Sequence, residues 1–293
     1  METITGSPDL GVVWPVPASF LRTDHGDHSI FQPGSLLREA RRQRNLPDDT
    51  VPDVCLLDPD GNVVRWLQRT GRGRRSVTWA CYHTDLWQTE VAGISESIPV
   101  GVIGNAVGAP FAVLVAEELF ASGCALLVSV TSAGQIDPTL TLPATILIEH
   151  AMRGEGTSYA YLPPEPTVAG EATLLAAVAN ELTRSGMAVK RGATWTTDAP
   201  FRETRAALEA AAAAGLQAVE MESAGLYAFA QARGRPVVCF ALVTNQLAQN
   251  GDDFEKGPDN GASHALALLA ATARGWRALR AASRGENSFE VRP

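Results

Sequence analysis

Residues 100–130 constrain the fold more than any other part of the chain. Residues 100–104 are a short apolar run, broken by Gly104-Asn-Ala-Val-Gly-Ala-Pro110. A helical pattern follows over 111–122, and then a fully apolar run over 124–130 that ends in Thr131-Ser-Ala-Gly-Gln-Ile136. A strand, one helix and a second strand within this length make a parallel crossover unit. Such a unit commits the chain to an α/β fold, with ligands expected at the carboxyl ends of the strands. Glycine at the first junction lets backbone N–H groups approach a ligand at a helix N-terminus. The second junction reads as a Thr/Ser-Gly turn.

The rest of the chain fits around that unit. Residues 51–57 predict a strand stopped by Asp58-Pro59-Asp60-Gly61, which is strong turn chemistry, with a helix opening at 63–67. Strands are predicted at 77–86, 90–94, 145–150, 189–197 and 237–243. Helices are predicted at 35–44, 171–185, 203–214 and 263–282. Gly215 closes the third of these helices as a C′ glycine, and Asp198-Ala-Pro200 reads as a helix-entry cap. Residues 1–50 read as an N-terminal arm and 51–293 as a single domain, without internal repeat or linker.

Composition excludes several functions. The net charge of -8 disfavours a nucleic-acid backbone as partner, because that binding rests on clustered Lys and Arg. The basic clusters at 38–44 and 69–75 read as solvated faces. The most apolar long stretch, 111–130, contains Glu117 and Glu118, which is too polar for a membrane span. Four cysteines lie far apart with no metal-ligand spacing, so no metal is expected. The N-terminus has no basic-then-apolar leader pattern, and a cytoplasmic location is expected.

The chemistry concentrates in Ala218-Val-Glu-Met-Glu-Ser-Ala-Gly-Leu-Tyr227. Side chains at i and i+2 of a strand share a face, so Glu220 and Glu222 are expected to point the same way. A carboxylate is costly to bury without partners, and the paired hydroxyls of a sugar are suitable donors to it. The alternative is a helix start with Glu in its first turn, favoured by the helix dipole.

Val219-Glu-Met-Glu-Ser-Ala224 resembles the ribose-binding signature of the nucleoside phosphorylase superfamily, and the loops resemble its uridine-phosphorylase-like branch. The resemblance covers residues 50–280 and implies a three-layer αβα sandwich on a mixed, largely parallel sheet. It implies cleavage of an N-glycosidic bond, with a small-molecule nucleoside as partner and no cofactor beyond phosphate as a possible co-substrate. It also implies a homo-oligomer, a dimer or hexamer, in which a neighbour's arm completes each site; His25 and His28 sit on that arm.

Carried over residue by residue, Met221 packs beneath the sugar and Glu222 holds its hydroxyls, with Glu220 alongside. Thr131, Ser132 and Gly134 line the sugar and base. Tyr159 and the loop after residue 153 approach the base, Phe201 stacks on it, and Arg202 and Glu203 read its polar edge. Arg202 or Asn245 stabilises the departing base. The purine-type members place an aspartate where this chain has Asn245, and an amide cannot protonate a purine, so a pyrimidine-like or unusual base is favoured.

This chain departs from the family in its phosphate site. The arginines expected at three positions are replaced by Gly61, Thr84 and Ser129. Phosphorolysis is the family default, and loss of those cations favours a phosphate-independent nucleosidase. Arg65, Arg74 and Arg205 are candidates to substitute. A nucleoside-binding protein without turnover is the remaining alternative.

Overall fold

The computed structural model describes residues 25–247 and 253–287. Its centre is a 10-stranded sheet in the order β10-β6-β8-β9-β5-β1-β4-β3-β2, with β7 on β6 and a further pairing of β10 with β5. The strands are β1 (Val54–Asp58), β2 (Arg74–Arg75), β3 (Trp87–Ala92), β4 (Ser97–Gly104), β5 (Leu126–Gln135), β6 (Ala144–Gly154), β7 (Thr167–Ala169), β8 (Lys190–Thr197), β9 (Ala218–Glu220) and β10 (Val237–Asn245). The helices are α1 (Pro33–Arg44), α2 (Asn62–Thr70), α3 (Ala109–Ala121), α4 (Ala172–Arg184), α5 (Arg205–Ala213), α6 (Ser223–Arg233) and α7 (Ala262–Asn287).

Strand alternation sorts the core into two apolar clusters, one on each face of the sheet. Cys55, Leu57, Leu127, Cys239 and Ala241 pack with α3 and α6. Their neighbours Val54, Leu56, Leu126, Val128, Val238 and Phe240 pack with α2, α4 and α7. β1 is parallel to both β4 and β5, and β5 is parallel to β10. The carboxyl ends of all four strands therefore lie along one edge. The sheet also rolls up: β5 pairs with β10, β10 with β6, β6 with β8, β8 with β9, and β9 returns to β5.

Two predicted elements are corrected. Residues 77–86 form no strand: Ala80 packs against Leu37 and Ala40 of α1, Cys81 enters the main core, and Arg44 Nη1 donates to both of their carbonyls, at 3.3 and 3.0 Å. A side chain thus takes the acceptors that a strand would pair. The expected turn after Val130 is instead the second half of β5, with Thr131 opposite Ala241 and Gly134 opposite both Val219 and Asn245. Small residues there let neighbours fold over the strand; a Cβ at Gly134 would collide with the Leu247 side chain. Residues 1–24 of the expected arm lie outside the described residues.

Candidate active site

Glu222 lies at the junction of three elements. β9 ends at Glu220, Met221 is half-buried, and Glu222 is the N-cap position of α6 with φ -127°. The expectation that the two carboxylates share a strand face is therefore corrected, because the strand ends before Glu222 is reached. Glu220 Oε1 accepts from the Thr194 and Thr196 hydroxyls at 3.1 and 2.5 Å, and Oε2 accepts from the backbone N–H groups of Glu222 and Ser223, both at 2.8 Å. With both oxygens committed, Glu220 ties β8 to the start of α6.

Glu222 is 1 % exposed. Its Oε1 accepts from Gly108 N–H at 2.8 Å, and its Oε2 is buried without a protein partner. Gly108 is the N-cap of α3, so the glycine turn aims its backbone N–H at this carboxylate, and the helix dipole favours the anion there. Burial, then the charge of Glu220, push the Glu222 carboxyl up to about 8. The Thr131 hydroxyl lies close enough to favour the ionised form, although it donates to the Ser132 carbonyl at 3.3 Å. The unpartnered Oε2 is an acceptor positioned for a donor from outside the chain.

The other half of the cluster comes from the loop after β1. Ser132 donates to Asp60 Oδ2 through both its N–H (3.2 Å) and its hydroxyl (2.6 Å). Lys256 Nζ lies 3.1 Å from the same oxygen. Asp58, at the end of β1, accepts from the N–H groups of Asn62, Val63 and Val64 and so fixes the start of α2; burial raises its carboxyl to about 6. A Cβ at Gly61 would meet Asn105 and lie 2.9 Å from Arg65 Nη1. Arg65 therefore fills the space that a side chain at 61 would take, with Nη2 on the Asp60 carbonyl and the Asn62 side chain, each at 2.6 Å.

The remaining sequence candidates have other surroundings. Asn245 Nδ2 donates to the Ala133 carbonyl (3.1 Å) and its Oδ1 accepts from Leu247 N–H (3.1 Å), so this amide stitches β10 to β5. The Tyr159 hydroxyl donates to the Arg153 carbonyl (3.1 Å), its ring lies 4.0 Å beneath the Arg153 guanidinium, and its own carbonyl is 3.0 Å from His25 Nε2. His25 thus reaches its own chain, and His28 is exposed. Phe201 is 99 % exposed on the short 3-10 turn Pro200–Arg202, and Arg202 is exposed beside it. The turn places both side chains at the exposed surface of the chain. Glu203 is half-buried, and burial moves its carboxyl up to about 7.

At the positions where arginine was expected, Thr84 accepts from Trp79 Nε1 (3.0 Å), and the Ser129 hydroxyl is buried without a partner. Among the described residues, no group of three or more His, Cys, Asp or Glu could hold a metal ion. No helix among them is long and apolar enough to cross a membrane.

Sequence reasoning gave Asp60 and Gly108 as turn residues but missed their roles, and it missed Thr194, Thr196 and Lys256. Asp60 and Ser132 are 72 residues apart, and nothing local marks either as the other's partner. The only signal was the pair of aspartates left in a loop without its arginine.

The sequence model of the Phosphorylase superfamily matches residues 79–277. The uridine phosphorylase of Thermococcus kodakarensis is 26% identical over 196 residues, which is 61% of this chain and 70% of that protein. The crystal structure of AMP nucleosidase from Bacteroides thetaiotaomicron superposes with a TM-score of 0.65 at 19% identity, covering 85% of this chain and 100% of that one. Uridine phosphorylase from Vibrio fischeri gives 0.63 at 19% identity, covering 76% and 91%. With more than half its length matched, and the matched stretch carrying Thr131, Ser132 and Glu222 at one edge of the sheet, the chain belongs to the phosphorylase superfamily.

Proposed function

We propose that this chain cleaves the N-glycosidic bond of a nucleoside or nucleotide by hydrolysis. The reading rests on the Asp60 carboxylate bound to Ser132. A phosphate dianion beside the sugar needs N–H and O–H donors and arginine forks. Here both Ser132 donors already hold a carboxylate, and residues 61, 84 and 129 carry no charge. A second anion at that point meets a carboxylate whose cationic neighbour, Lys256, is already paired with it.

In this reading, sugar hydroxyls donate to the free Oε2 of Glu222, with Met221 beneath the ring. Asp60, steadied by Ser132 and Lys256, takes the proton from an attacking water. The water oxygen bonds to the anomeric carbon as the C–N bond breaks, and the bond pair leaves with the base nitrogen, which takes a proton from solvent. The two carboxylates also stabilise the cationic character that develops on the sugar. Residue 245 is an amide with no acidic proton to give, which supports a pyrimidine-like or unusual base.

Incubation with a nucleoside and nucleotide panel, with and without phosphate, tests the proposal. Base and free sugar released without phosphate is the expected result, and Asp60→Asn should lower that rate about 100-fold. Base release that requires phosphate and yields a sugar phosphate would replace hydrolysis with phosphorolysis. That second reading draws on Arg65, whose guanidinium occupies the space of the missing side chain at Gly61. Saturable binding without products would identify a binding protein instead.

A further inference from the structure

A cavity of about 640 Å³ lies at the far end of two elements that carry the candidate site. Its lining includes Gly234, which closes α6, and Val237, which opens β10, whereas Glu222 and Asn245 are at the opposite ends of those elements. α6 alone separates cavity from site by roughly 16 Å, at about 1.5 Å per residue over its 11 residues. The volume is within the range of ordinary small-molecule sites, about 300–1,000 Å³.

The walls are apolar: Leu174, Val237 and Trp276 are buried, and Leu279 is partly so. Arg235 and Arg280 stand at the opening, and aromatic rings hold both in place. The Arg280 guanidinium lies 4.8 Å from the Trp276 ring centroid, and that of Arg235 lies 5.4 Å from Phe120. Stacking fixes a guanidinium by its face and leaves its donor edge open. Neither side chain has an ion-pair or hydrogen-bond partner among the described residues. The one acid in the lining, Glu171, spends both oxygens capping α4, accepting from the N–H groups of Thr173 (2.8 Å) and Leu174 (2.6 Å). Gln231 is committed to the Ala169 carbonyl at 2.8 Å. On a chain of net charge -8, two unpaired cations over an apolar cavity are complementary to an organic anion.

We propose that this cavity binds a small organic anion: an aromatic or branched apolar body against Trp276 and Leu279, and a carboxylate, phosphate or sulfonate head on the donor edges of Arg235 and Arg280. The site is independent of the catalytic cluster and of the reading given for it. The test titrates the full chain with 8-anilinonaphthalene-1-sulfonate and with the uncharged N-phenyl-1-naphthylamine, following probe fluorescence. The expected result is a single saturable sulfonate site, which saturating nucleoside does not displace. The neutral probe should bind about tenfold more weakly or worse, and an Arg235→Ala/Arg280→Ala double variant should lose about tenfold or more in sulfonate affinity. An unchanged melting temperature and far-UV circular dichroism spectrum show that the variant is folded. Equal binding of both probes, displacement by nucleoside, or unchanged affinity in the double variant would overturn the proposal. So would a fall in solution mass in the double variant, which would mark the cavity as a contact between two copies of the chain.

Discussion

Glu222 is a buried carboxylate with one oxygen on Gly108 N–H and the other unpartnered. Glu222→Gln keeps the shape but replaces a charged acceptor, and a hydrogen bond to a charged group is worth about 1.5–3 kcal/mol. The expected loss is about 10- to 100-fold in kcat/KM above about pH 8, where the carboxyl is ionised, measured with whichever nucleoside is turned over. The pH behaviour follows from the carboxyl at about 8 against an ordinary 4.5. Because the folded state holds the proton more tightly, this group's contribution to stability is full below about pH 4.5 and is lost as pH rises through about 8. The ionised form is the stronger acceptor for sugar hydroxyls and for the cationic sugar, so kcat/KM of the free enzyme should rise toward pH 8. Denaturant melts and rate profiles of Glu222→Gln should lack both slopes. The sequence identified this residue through a six-residue pattern. It could not show which oxygen is free, because Gly108 is 114 positions away.

At the scale of elements, Glu220 joins β8 to α6. Its neighbour's role suggested a ligand contact for it as well, on the ground that alternate strand residues share a face. The shared face does not form, because β9 is only 3 residues long and the chain turns at Met221. The Thr194 and Thr196 hydroxyls, aligned by β8, then become its partners. Glu220→Gln should therefore act on stability: the amide has one acceptor oxygen for donors that occupy two, at a cost of about 1–3 kcal/mol. Thermal melts should register this as roughly 2–4 °C per kcal/mol. A melting temperature equal to wild type would refute the capping role. The strand-helix-strand unit was legible because apolar runs and glycine breaks are local signals. The false strand over 77–86 was not, since its carbonyls are claimed by Arg44, on a helix more than thirty residues earlier.

At the scale of the whole molecule, the rolled sheet brings distant segments to one edge, and sequence periodicity carries no information about closure. A parallel crossover predicts a layer; it does not predict that β9 returns to β5. We expect the chain to self-associate, as the resemblance implies for a dimer or hexamer, and static light scattering of the purified chain on size exclusion gives the mass directly. A monomer at assay concentrations would mean that each site is complete within one chain.

Position 134 has a wider consequence. The last strand can cross it and continue as Leu247 only because the residue beneath has no side chain. One methyl group would therefore act as a wedge between the rolled wall and the segment that leaves it. Gly134→Ala should displace Leu247, break the amide clasp of Asn245, and leave the substrate cleft wider without altering any charged group. Increased KM with near-normal kcat would be its signature, and an unchanged KM would show that the crossing has room to spare.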